Sequence, residues 1–161
     1  MDKRFLVEQL ATRLRESATV ARKAEKAAST EARDGATPAE KREDARVALE
    51  QGSLARGQAD RAARVSAELS TLEVFRPSRP TNGTIALGAV VEVEDGNQGR
   101  TFFLAPVGAG VELTGPDGDG FLSVVTPQSP IGRAVLGKRV GDTVEVTVQG
   151  EIREWTITYV S

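Results

Sequence analysis

The chain has 161 residues and a net charge of −2, and it contains neither Cys nor His. That composition excludes disulfides, thiolate zinc sites, Ser-His-Asp triads and Cys-His dyads. No apolar run is long enough for a signal peptide or a membrane span, so the expected compartment is the cytoplasm.

The small net charge hides an uneven split. Residues 1–76 carry 15 Lys/Arg against 13 Asp/Glu, whereas 77–161 carry 6 against 10. Neither part has the basic balance of a duplex-binding module. Six of the seven aromatics stand at Phe75 or later, so the first half has only a narrow seam to bury.

Residues 1–76 are rich in Ala, Arg, Glu and Leu, all good helix formers. Leu6, Leu10, Leu14, Ala18, Ala21, Ala24 and Ala28 recur at helical spacing between charged positions. Val47, Leu54, Gln58, Val65, Leu69 and Leu72 repeat the pattern. Between the two runs lies Asp34-Gly35-Ala36-Thr37-Pro38. Gly35 suits a left-handed helix end. Thr37 can cap the next helix, with Pro38 at its first position and Glu40 closing a capping box. The expectation is an antiparallel helical hairpin, a coiled coil with arms of roughly 50 Å at 1.5 Å per residue.

Residues 77–83 read as a linker, after which the apolar period changes to two. Strands are expected over 90–94, 100–104, 120–125, 143–148 and 152–159. Gln149-Gly150 forms a tight hairpin turn. One short helix interrupts the series. Ser129 caps it, Pro130 opens it, Ile131 to Leu136 fill it and Gly137 closes it. Phe121 and Trp155 are read as core. The fold class is therefore α+β: a hairpin over 1–76, a linker over 77–83, and a mostly antiparallel β domain with one short helix over 84–161.

At the short helix, Ser129-Pro130-Ile131-Gly132-Arg133-Ala134-Val135-Leu136-Gly137-Lys138, followed by Val140-Gly141-Asp142-Thr143-Val144-Glu145-Val146, resembles the C-terminal domain of the Gre family of transcription elongation and transcript cleavage factors (GreA/GreB). Ala48-Leu49-Glu50-Gln51-Gly52, then Arg56 and Ala67-Glu68-Leu69, resembles the descending helix of the Gre hairpin, with less specificity. The resemblance implies an FKBP-like globular domain that docks on RNA polymerase beside its secondary channel. It also implies a hairpin that enters the channel and acts at the 3′ end of a backtracked nascent RNA. Acids at the hairpin tip would then help hold the second Mg²⁺ of the polymerase active site and orient a water, in two-metal phosphodiester hydrolysis. Carboxylates suit this role because Mg²⁺ takes hard oxygen ligands. On this reading the chain is an accessory factor and not an enzyme. It has no cofactor and binds no metal of its own, makes no membrane contact, and works as a monomer.

The sequence departs from the family at the tip. Counting back from Ala48-Leu49-Glu50-Gln51 puts Pro38 and Lys41 where the family's two working acids stand, with Arg42 and Ala45 at the following Asn and Tyr. Asp34 and Glu40 are the candidate tip acids, with Glu43 and Asp44 as alternates. The competing role for acids so early in a helix is to complement its macrodipole. Arg56, Arg61 and Arg64 are candidates for contact with RNA or the channel wall, or else solvated cations of a charged helix. Gln128, Ser129, Pro130 and Ile131 fall at the family's polymerase-docking loop, where Gln128 replaces a frequent Asp. The resemblance leaves open a cleavage factor or a channel binder that regulates polymerase without cleavage. An FKBP-like isomerase or chaperone is the alternative of another class.

Overall fold

The computed structural model describes residues 2–33, 41–118 and 120–161. Two long helices come first: α1, Arg4–Arg33, and α2, Lys41–Val74. Among the described residues six strands follow: β1, Val90–Glu94; β2, Gly99–Leu104; β3, Glu112–Thr114; β4, Phe121–Val125; β5, Thr143–Val148; and β6, Glu151–Val160. A short helix α3, Pro130–Val135, lies between β4 and β5. Among the described residues no helix is long and apolar enough to cross a membrane. By Cα packing the chain divides into two compact units, Met1–Ala11 with Thr71–Ser161, and Thr12–Ser70.

The described residues of the unit Thr12–Ser70 are helical. Leu14, Ala18 and Ala21 are buried on α1, and Ala55, Ala62 and Val65 on α2. Arg22 Nη2 donates to Ser66 Oγ at 3.3 Å, tying the two helices together. The seam is thin and alanine-rich, as the sequence implies. Its register on α2 differs from the expected one: Leu54 is 57% exposed and Ala55 takes the buried position. The reason is geometric. Positions 55, 62, 65 and 72 hold the 3–4 spacing of one helix face, and residue 54 lies about 100° from 55 around the helix. Val47 lies within α2, and the expected caps at Gly35, Thr37 and Pro38 lie outside the described residues.

The other unit holds the sheet, the start of α1 and the end of α2. Asp2 Oδ1 accepts the Arg4 backbone N–H at 3.0 Å and so caps α1. At the far end of α2, Arg76 Nη1 donates to the Glu73 and Phe75 carbonyls at 2.7 and 2.9 Å, satisfying groups the helix leaves open. Leu6 and Leu10 are fully buried, and Leu72 nearly so. Gln9 makes a paired contact with the edge strand β3. Its Nε2 donates to the Thr114 carbonyl at 3.0 Å, and its Oε1 accepts the Thr114 N–H at 2.8 Å. Leu10 lies under the β2–β3 connection, where a Cβ on Gly108 would come within 2.7 Å of Leu10 Cδ1. These contacts explain why the first eleven residues pack with the sheet.

The sheet order is β3-β4-β2-β1-β6-β5. Among the described residues four of its pairings are antiparallel and one, β2 with β4, is parallel, so the sheet is mixed. Strand alternation sends Val91, Val93, Phe102, Leu104, Val125, Val144, Val146, Trp155 and Ile157 into one core, closed by Val135 of α3. Val90, Phe103 and Val124, one residue out of phase, are buried on the opposite face. Arg100 sits over the Trp155 ring at 5.4 Å from its centroid. The β5–β6 turn has positive φ at Gln149 (53°) and Gly150 (83°), the backbone a two-residue hairpin needs.

One further expectation is corrected, and one strand was not expected. Phe121 is 78% exposed, not core. It opens β4 opposite Thr114 on the short edge strand, at a position whose neighbour Leu122 takes the inward direction. The strand β3 escaped the sequence reading because three residues between glycine-rich turns are too few to display a period.

Candidate functional site

The loop from Thr126 to Arg133 is built around one buried carbonyl. Thr126 O accepts both the backbone N–H of Ser129 at 3.0 Å and its hydroxyl at 2.7 Å. Ser129 has φ −68° and ψ 152°, outside the helix, and its Oγ also accepts the Gly132 N–H at 3.1 Å. This N-cap fixes the start of α3, and Pro130 follows where its missing N–H costs nothing. Gly132 is buried so tightly that a Cβ there would sit 1.9 Å from Thr126 O. Arg133 clamps the loop from outside: its Nε and Nη2 donate to the Gln128 carbonyl at 3.1 and 2.8 Å.

The four candidate docking residues thus divide by role. Gln128 and Pro130 are exposed. Ser129 is half-buried, with its hydroxyl committed to the cap. Ile131 is half-buried and packs against the sheet core. The result is a rigid edge that presents Gln128 and Pro130 and is anchored by Ser129 and Ile131. Arg133 is a member of this arrangement that sequence reasoning passed over. The signal was a long cation following a capped Ser-Pro, which reads on pattern alone as a solvated side chain.

The hairpin candidates lie elsewhere. Asp34 and Glu40 are outside the described residues, and Glu43 and Asp44 belong to the first turn of α2. Arg56, Arg61 and Arg64 are all exposed on α2. Among the described residues no group of three or more Asp or Glu is arranged to hold a metal ion.

Two long helices and a mixed β domain carrying a capped, glycine-locked loop define a class of hairpin-bearing α+β proteins. Within it, the model for the C-terminal domain of the transcription elongation factor GreA/GreB matches residues 80–161, half of the chain and all six strands. The chain belongs to the GreA/GreB family. It is 32% identical over 98 residues to the transcription elongation factor GreA of Verminephrobacter eiseniae, covering 60% of this chain and 58% of that protein. To GreA of Alkalilimnicola ehrlichii it is 32% identical over 114 residues, covering 70% and 66%. The chain thus spans about three fifths of the length of the first of these relatives. A crystal structure of Thermus aquaticus Gfh1 aligns over 95% of this chain and 92% of its own with 23% identity and a TM-score of 0.41.

Proposed function

We propose that this chain is a Gre-type transcription elongation factor that binds RNA polymerase near its secondary channel, inserts the helical hairpin and modulates or stimulates cleavage of backtracked RNA. The observation that supports this reading best is the family match over 80–161 together with the rigid Ser129 loop, whose exposed Gln128 and Pro130 suit a docking edge. In this role the chain acts through the catalytic centre of the polymerase. The enzyme supplies the Mg²⁺ ions, and Asp34 and Glu40, with Glu43 or Asp44 as alternates, lend carboxylate oxygens to them and to the attacking water. Arg56, Arg61 and Arg64 face RNA or the channel wall. The protein works as a monomer in the cytoplasm. Added to a stalled, backtracked polymerase, it should release short 3′ RNA fragments, and Asp34→Ala combined with Glu40→Ala should abolish the release. Undiminished release by the double variant removes both acids from the mechanism.

A second reading is favoured by Pro38 and Lys41, which stand where the family's working acids are expected. On that reading the chain occupies the channel and regulates polymerase without cleavage, displacing a cleaving Gre factor yet releasing no fragments. The isomerase alternative finds less support. Phe102, Phe103 and Trp155, three of its five aromatic candidates, are buried in the sheet cores, and an apolar ligand pocket needs accessible aromatic lining.

A further inference from the structure

The start of α1 and the linker after α2, both in the sheet-bearing unit, border an open pocket of about 380 Å³ lined by Asp2, Lys3, Arg4, Pro77, Ser78 and Arg79. Three of its six lining residues are cations and one is an acid. Asp2 Oδ1 accepts the Arg4 backbone N–H, which fixes the carboxylate's place while its charge remains. Lys3 is only 6% exposed, an uncommon position for an ammonium group. Its Nζ donates to the Ser78 carbonyl at 3.1 Å, a neutral acceptor that takes one of three donors. Burial and the neighbouring Arg79 charge both push the Lys3 ammonium below its ordinary pKa. The cap end of α1 adds the positive pole of a 30-residue helix. A buried charge without a counter-charge is costly, and the neighbouring charge that acts on Lys3 is the like-signed Arg79.

We propose that this cavity is a binding site for the phosphate group of a small phosphorylated ligand. The chemistry selects phosphate. Two arginines and a lysine among six lining residues suit an oxyanion with several acceptors, and the same three cations repel a metal ion. The size selects a small molecule, because 380 Å³ lies in the range of ligand pockets. A second cavity of about 420 Å³, lined by Arg4, Val7, Glu8, Phe75, Arg76 and Pro77, shares Arg4 and Pro77 with the first. It gives the rest of such a ligand an apolar wall in Val7, Phe75 and Pro77. None of these residues belongs to the docking loop or to the tip, so the site is independent of the polymerase reading.

The test is a titration of the full chain with inorganic pyrophosphate, followed by amide chemical shifts. Saturable shifts confined to the segments around Lys3, Arg4, Ser78 and Arg79 are expected. Lys3→Met keeps the buried stem without the charge, and Arg79→Ala removes the second cation. Each should weaken binding at least about tenfold. Arg13→Ala, which removes an exposed cation on the hairpin, should bind as the unaltered chain does. Failure to saturate, or wild-type affinity in both Lys3→Met and Arg79→Ala, overturns the proposal. So does a single-stranded RNA oligonucleotide that shifts the same amides at lower concentration than pyrophosphate, since the ligand would then be a nucleic-acid backbone.

Discussion

Replacing Gly132 by alanine tests the loop most sharply, because two physical effects oppose each other. Glycine inside a helix costs about 1 kcal/mol relative to alanine, so propensity alone makes Gly132→Ala stabilising. The packing says the reverse. The new methyl would lie 1.9 Å from Thr126 O, 2.7 Å from Thr126 C and 2.9 Å from Ser129 Oγ. Two of these atoms are backbone, so no rotamer relieves the overlap. Moving them to ordinary contact takes a shift of about 1.5 Å. That shift breaks the Ser129 N–H and Oγ bonds to Thr126 O and the Gly132 N–H bond to Ser129 Oγ. At about 1 kcal/mol each these outweigh the propensity gain. The net loss is about 2 kcal/mol, or about 4–8 °C in Tm for a chain of this size. Urea unfolding read by the fluorescence of Trp155, 2% exposed in the sheet core, reports on the right unit. An alanine variant as stable as the parent, or more so, refutes the account of this loop.

Three further outcomes follow from the packing. Leu10→Ala empties a fully buried site under Gly108 and should cost about 2–5 kcal/mol by the same unfolding assay. Gln9→Ala leaves the Thr114 N–H and carbonyl without their side-chain partner and should cost about 1–3 kcal/mol, with faster hydrogen exchange at the Thr114 amide. Phe121→Ser, at a 78% exposed position at the start of β4, should change stability by no more than about 0.5 kcal/mol.

Much of the fold was legible because its signals are local. The Leu6, Leu10, Leu14, Ala18, Ala21 row is a periodic stripe, and all five residues are buried. Ser129, Pro130 and Gly137 carry the start and end of α3 in their own chemistry, as Gln149-Gly150 does for its hairpin. What was illegible depends on partners distant in sequence. Leu54 looked like a seam residue because its side chain is larger than that of Ala55, yet the helix face decides which one is buried. Phe121 looked like core because aromatic residues usually are, but it opens β4 on the outward phase, and Leu122 takes the inward one. Gln9 reads as an ordinary polar helix residue, and its role exists only because β3 lies beside it. The Ser129 loop was visible as a motif, whereas the Arg133 clamp on Gln128 required coordinates. The Lys3 cavity joins residues some 75 positions apart and left no mark in the pattern.

The central claim is that a Gre-type factor meets RNA polymerase through the Ser129 loop and reaches inward with its hairpin. The most direct measurement is competition with an established Gre factor for bacterial core RNA polymerase, using the full chain beside Pro130→Ala with Gln128→Ala. The account predicts saturable displacement by the chain and displacement weakened at least about tenfold by the double variant. An inability to bind polymerase at any accessible concentration, or equal displacement by the loop variant, would contradict it.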